Sequence, residues 1–170
     1  MEVLEPGQDW KIAALRLHFH VHFLFGDNMK RKYFDIVYEE ANKAFNVGEI
    51  PVGCIIVKNN VVIARTHNRR EKMNSVLGHA ELLAIQDASK LLGNWRLSGC
   101  DVYISLDPCP MCAAALNQAR VRGIYCGVTS TNNDEKDVVN KIISKKIKFI
   151  SDLDEERSSA LLKKFFKNRR

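Results

Sequence analysis

The chain has 170 residues, 46% of them apolar and 27% charged, which suits one domain with a sizeable core and would crowd two. Lys and Arg number 26 against 20 Asp and Glu, giving a net charge of +6 and a pI of about 9.1. That balance is a weak pointer toward a polyanionic partner. The five cysteines are an odd number and two form a Cys-x-x-Cys pair, so a reducing compartment fits better than a disulfide framework.

Residues 1–28 form an extension unlike the remainder, with His18, His20 and His22 alternating with large apolar groups. On one face of a strand they would be able to meet a metal, but a disordered or accessory extension is the preferred reading. The apolar run there is too short and interrupted to span a bilayer. Glu2, Glu5 and Asp9 argue against a transit or signal peptide, which leaves the cytoplasm as the expected location and no membrane as partner. Met29-Lys30-Arg31-Lys32 reads as the start of the main domain, residues 29–170, and as a candidate translation start.

From Met29 to Val47, apolar residues at Phe34, Val37, Tyr38, Ala41 and Phe45 keep helical spacing and Gly48 follows as a stop. Val52–Val57 and Val61–Ala64 are β-branched runs flanking Asn59-Asn60, a pair suited to the positive φ of a tight hairpin. Leu82 to Leu92 continue a helix that begins near His79 and ends at Gly93-Asn94. A buried strand over Val102–Leu106, a helix over Cys109–Arg120 and a strand over Ile124–Gly127 come next. A strand, helix, strand order favours parallel pairing, so an α/β fold with a mixed sheet is expected. A short helix (Asp134–Ile143), a last strand (Ile147–Ile150) and a closing helix (Asp154–Phe166) complete the chain. Cys54, Cys100 and Cys126 read as buried apolar thiols.

The chemistry concentrates in His79-Ala80-Glu81 and Pro108-Cys109-Pro110-Met111-Cys112. One imidazole and two thiolates, His79, Cys109 and Cys112, make a zinc set that leaves a fourth tetrahedral position open, whereas a structural site would be closed by a fourth protein ligand. Both segments fall at expected helix starts, where the helix dipole favours thiolate. Glu81, two residues past the histidine, is placed to move protons without ligating the metal. Cys-x-x-Cys alone is common in zinc-stabilised and redox proteins, and His-x-Glu alone carries little information. The combination of His-x-Glu with Pro-Cys-x-x-Cys is the known pattern of zinc-dependent nucleobase deaminases.

From about Met29 to Arg170 the chain resembles bacterial tRNA adenosine deaminases of the cytidine deaminase-like superfamily. Besides the two motifs, the matching pieces are Gly48-Glu49-Ile50-Pro51-Val52-Gly53, His67-Asn68-Arg69, Gly93-Asn94-Trp95-Arg96-Leu97 and the basic ending Phe165 to Arg170. The resemblance implies a three-layer fold with a mixed five-stranded sheet flanked by helices. It also implies Zn2+ on His79, Cys109 and Cys112, Glu81 as proton shuttle, Asn68 as the base-recognition residue, and a homodimer whose subunits share the cleft. The reaction it implies is conversion of the wobble adenosine of a tRNA anticodon stem-loop to inosine. The chain departs from the family's usual pattern at Asp107, at Ser75-Val76 and over Ser130 to Glu135. Alternative readings are a deaminase of guanine or a free nucleoside, and a non-catalytic zinc module that binds RNA or supports an enzymatic partner.

Overall fold

The computed structural model describes residues 31–167. The extension 1–28, with His18, His20 and His22, lies outside the described residues, as do Arg169 and Arg170. Of the described residues, those from Tyr33 onward form a compact unit.

Five strands form one sheet in the order β2-β1-β3-β4-β5: β1 Gly53–Lys58, β2 Val61–His67, β3 Cys100–Leu106, β4 Gly123–Val128 and β5 Lys148–Ile150. β1 pairs antiparallel with β2 and β3, whereas β3, β4 and β5 run parallel. The hairpin between β1 and β2 turns on Asn59 and Asn60, with φ of 49° and 64°, as a two-residue turn matched to strand twist requires. β4 is buried along its whole length, the continuous apolar pattern of a parallel strand covered on both faces.

Helices cover both faces. On one side lie α3 (Ala80–Leu92), α4 (Pro110–Gln118) and α5 (Asn133–Ile142). Ala84, Ala88, Leu116 and Val139 there meet Cys54, Ile56, Val102, Ile104, Ile124 and Cys126 of the sheet. On the other side lie α1 (residues 31–46) and α6 (Glu155–Lys167). Tyr33 and Phe34 of α1 pack on Tyr103, which stacks on Tyr125 with ring centres 4.8 Å apart. The alternation of strand side chains thus builds two cores, the expected three layers. One element was not expected, the four-residue helix α2 (Arg70–Met73).

α1 sits so low on β1 that a Cβ on Gly53 would lie 2.6 Å from the Ala41 nitrogen. An ion cluster also ties α1 to the neighbouring strand β2. Glu40, buried, accepts hydrogen bonds from Lys43 Nζ (2.8 Å) and Arg65 Nε (3.0 Å), and its other oxygen lies 3.0 Å from His67 Nδ1. Burial pushes the Glu40 carboxyl up, but the hydrogen bonds from Lys43, His67 and Arg65 prevail and hold it below its ordinary value of 4.5.

Two expectations follow. Gly53→Ala destabilises the fold by about 2 kcal/mol in urea unfolding, because α1 must move to admit the methyl group. A carboxyl depressed in the folded state contributes stability that is present above its unfolded value and lost as pH falls through the folded one. The urea midpoint therefore declines below pH 4.5, and Glu40→Gln lessens that decline.

Candidate active site

Two helix N-termini converge at one end of the sheet. His79 is the N-cap residue of α3 (φ −70°, ψ 141°) and Cys109 that of α4 (φ −68°, ψ 167°), with Pro110 in the first helical position, where its missing N–H leaves no helical bond unmade. N-cap side chains commonly bond back to their own helix. These two do not. Instead Cys109 Sγ lies 3.7 Å, and Cys112 Sγ 3.5 Å, from His79 Nδ1. The three donor atoms lie within 4.8 Å of one another. A tetrahedral zinc with bonds of roughly 2.0 Å to nitrogen and 2.3 Å to sulfur separates those donors by about 3.5 Å, so this set fits zinc with little rearrangement.

Several contacts hold the helix starts in place. Thr66 Oγ1 of β2 donates to Ala80 O at 2.7 Å. Arg69 N donates to Gly78 O at 2.8 Å. A Cβ on Gly78 would stand 2.7 Å from Arg70 Cα, so the loop entering α3 lies flat against α2. Cys112 sits one turn into α4 and is fully buried, whereas Cys109 is half-buried.

The two thiols are shifted in opposite directions. The hydrogen bond from Cys112, and secondarily that from His79, brings Cys109 down to about 4, while the same hydrogen bond and burial push Cys112 up. His79 is raised, first by its hydrogen bond to Cys109. Glu81, only 4% exposed, is raised by burial. A carboxyl that is reluctant to ionise suits a group that must hold a proton and release it.

Glu81, His79 and Cys109 line a pocket of about 130 Å³ together with Asn68, Arg70 and Asp107. Asn68, only 6% exposed, donates from Nδ2 to Glu49 Oε2 at 3.2 Å. Of the five residues singled out in the sequence, four thus line one pocket, and Cys112 is buried against one of them, His79. Arg70 and Asp107 were not foreseen as pocket walls. Arg70 belongs to the unexpected α2, and Asp107 stood out only as a departure at the end of β3, where strand ends in an open parallel sheet commonly meet ligands.

The model of the MafB19-like deaminases matches residues 28–170. The chain belongs to that deaminase family. A tRNA-specific adenosine deaminase of Bacillus subtilis is 35% identical over 143 residues, covering 81% of this deaminase and 89% of that protein. A structure solved in a study of A-to-I editing by tRNA:A34 deaminases at the wobble position of transfer RNA shares 33% identity. It covers 78% of this chain and 99% of its own, with a TM-score of 0.71. A guanine deaminase of Bacillus subtilis shares 34% identity over 64% of this chain and 66% of its own, with a TM-score of 0.55.

Replacing one thiol of the cluster tests its capacity for metal. After dialysis against metal-free buffer, wild-type protein is expected to keep about one zinc per chain and Cys112→Ser markedly less than half of that, read by atomic absorption.

Proposed function

We propose that this protein hydrolyses adenosine to inosine at the wobble position of a tRNA anticodon, releasing ammonia. The observation that carries this is one pocket lined by His79, Cys109, Glu81 and Asn68, in a chain 35% identical over most of its length to a tRNA-specific adenosine deaminase. His79, Cys109 and Cys112 are the proposed zinc ligands. Zinc held there supplies Lewis acidity that brings the pKa of water to about 7. Glu81 would take a proton from the attacking water, deliver it to the ring nitrogen beside the attacked carbon, and pass a second proton to the amino group that leaves as ammonia. Its burial keeps these transfers away from bulk solvent. Asn68 reads the purine with its side-chain amide.

A polynucleotide substrate is supported by what adjoins the pocket. Leu106 lines the pocket and also a wider groove of about 630 Å³ between α6 and the segment after β4. That groove carries Lys163, Lys167 and the exposed ring of Phe166, the mixture of cation and stacking face that an unpaired RNA strand uses. The loop Ser130 to Glu135 contributes no positive charge there and opens α5 with Asp134 and Glu135.

Residues 29–170 are assigned as the deaminase domain and residues 1–28 as an accessory extension. A homodimer is supported by exposed Val76, Leu77, Leu91 and Met111 on and before α3 and α4. No described helix is long and apolar enough to cross a membrane, and the cytoplasm is the compartment we assign.

Zinc-loaded protein incubated with an anticodon stem-loop bearing a wobble adenosine is expected to form inosine, read by nucleoside mass spectrometry. Glu81→Gln should lower turnover by about 10²- to 10⁴-fold while retaining zinc. Turnover of guanine with none of the stem-loop would overturn the RNA assignment in favour of a free-base deaminase. Zinc retention and tRNA binding without ammonia release would instead mean a non-catalytic module.

A further inference from the structure

Helix α1 ends with two diagnostic backbone bonds. Gly48 N donates to Phe45 O at 3.1 Å and Glu49 N to Ala44 O at 3.0 Å, with Gly48 at φ 80°. This is a Schellman motif, and the residue in the place of Glu49 ordinarily carries an apolar side chain that packs back on the helix. Here the place holds a carboxylate that is 2% exposed. Burying a carboxylate is expensive unless its oxygens are fully engaged. Among the described residues its partners are neutral N–H groups, namely Asn68 Nδ2 at 3.2 Å, Glu71 N at 3.2 Å and Lys72 N at 2.8 Å. A break with local preference that is compensated so fully points to function more than to stability.

A carboxylate has nothing to donate, so the nitrogen of the Asn68 amide must be the atom that faces it, and the amide cannot be turned over. One N–H is engaged with Glu49, leaving Oδ1 and the second N–H for the pocket that Asn68 lines. The other carboxylate oxygen and the same Oε2 hold the first backbone N–H groups of α2, the helix that carries Arg70 to the pocket wall. We propose that Glu49 is a positioning residue for base recognition, setting the donor–acceptor edge that Asn68 shows to the purine. The proposal rests on the deaminase reading above. Glu49→Gln would break the arrangement, because the amide it introduces can donate to Asn68 Oδ1 and so let Asn68 turn.

A double-mutant cycle separates this role from a structural one. Turnover per bound zinc is measured for wild type, Glu49→Gln, Asn68→Ala and the pair, on whichever of the anticodon stem-loop and guanine the wild type converts. Wild-type behaviour alone judges the substrate assignment, and the variants alone judge Glu49. Glu49→Gln is expected to lower kcat/KM at least about tenfold, and the pair to fall within about twofold of Asn68→Ala. Losses that multiply in the pair would overturn the proposal. So would a Glu49→Gln protein with less bound zinc and a lower melting midpoint but wild-type turnover per zinc, since that is a folding role. The exchanged pair, Glu49→Gln with Asn68→Asp, supplies a check by restoring the contact with its polarity reversed, the introduced amide donating and the introduced carboxylate accepting. Its melting midpoint should exceed that of Asn68→Asp alone while turnover stays low; recovered turnover would count against the orientation of the amide.

Discussion

The site depends on two helices beginning at the same point. Because α3 and α4 both start at one end of the sheet, His79 and Cys109 occupy N-cap positions that face one another, and their side chains are left free of capping duty. Cys112 then follows one turn later on the same face of α4 as Cys109. The backbone cradle on β2 and the loop before α3 keeps this meeting point from drifting, through Thr66 to Ala80 and Arg69 to Gly78. The N-terminal ends of both helix dipoles make the meeting point electropositive, which favours thiolate and hence metal.

Around that point the protein places two carboxylates in opposite circumstances. Glu81 is buried beside the thiols with its carboxyl raised, an arrangement that suits the proton transfers proposed for it. Glu49 is equally buried, yet each of its oxygens is engaged by N–H groups of Asn68, Glu71 and Lys72, an arrangement for holding still. A third buried carboxylate, Glu40, serves neither purpose and ties α1 to β2 through Arg65 and His67.

Most of the architecture was legible in local pattern. β-branched runs around Asn59-Asn60 specified the hairpin, and a strand, helix, strand order specified the parallel half of the sheet. The misses have physical reasons. β2 runs to His67 rather than Ala64 because its last residues are held by Thr66 to α3 and by Arg65 and His67 to Glu40, none of which an apolar alternation reveals. α2 is only four residues long and begins on a carboxylate 22 positions earlier in the chain, so no window on its own sequence contains the cause of its folding. β5 shrank to Lys148–Ile150, an edge strand with a single neighbour to pair with.

The sequence by itself determined the chemistry on offer. Residue types and spacing in His79-Ala80-Glu81 and Cys109 to Cys112 offer three metal-donor side chains and a carboxyl for the proposed proton transfers, because ligand chemistry is a property of the side chains and helical spacing puts two thiols on one face. Tertiary structure alone decided that the two motifs, thirty residues apart, meet within hydrogen-bonding reach of sulfur and imidazole. It alone buried Glu81, gave the pocket its Arg70 and Asp107 walls, and turned Glu49 from a residue in a matching stretch into the partner of Asn68. Burial and long-range hydrogen bonds are properties of packed neighbours, and no local spacing encodes them.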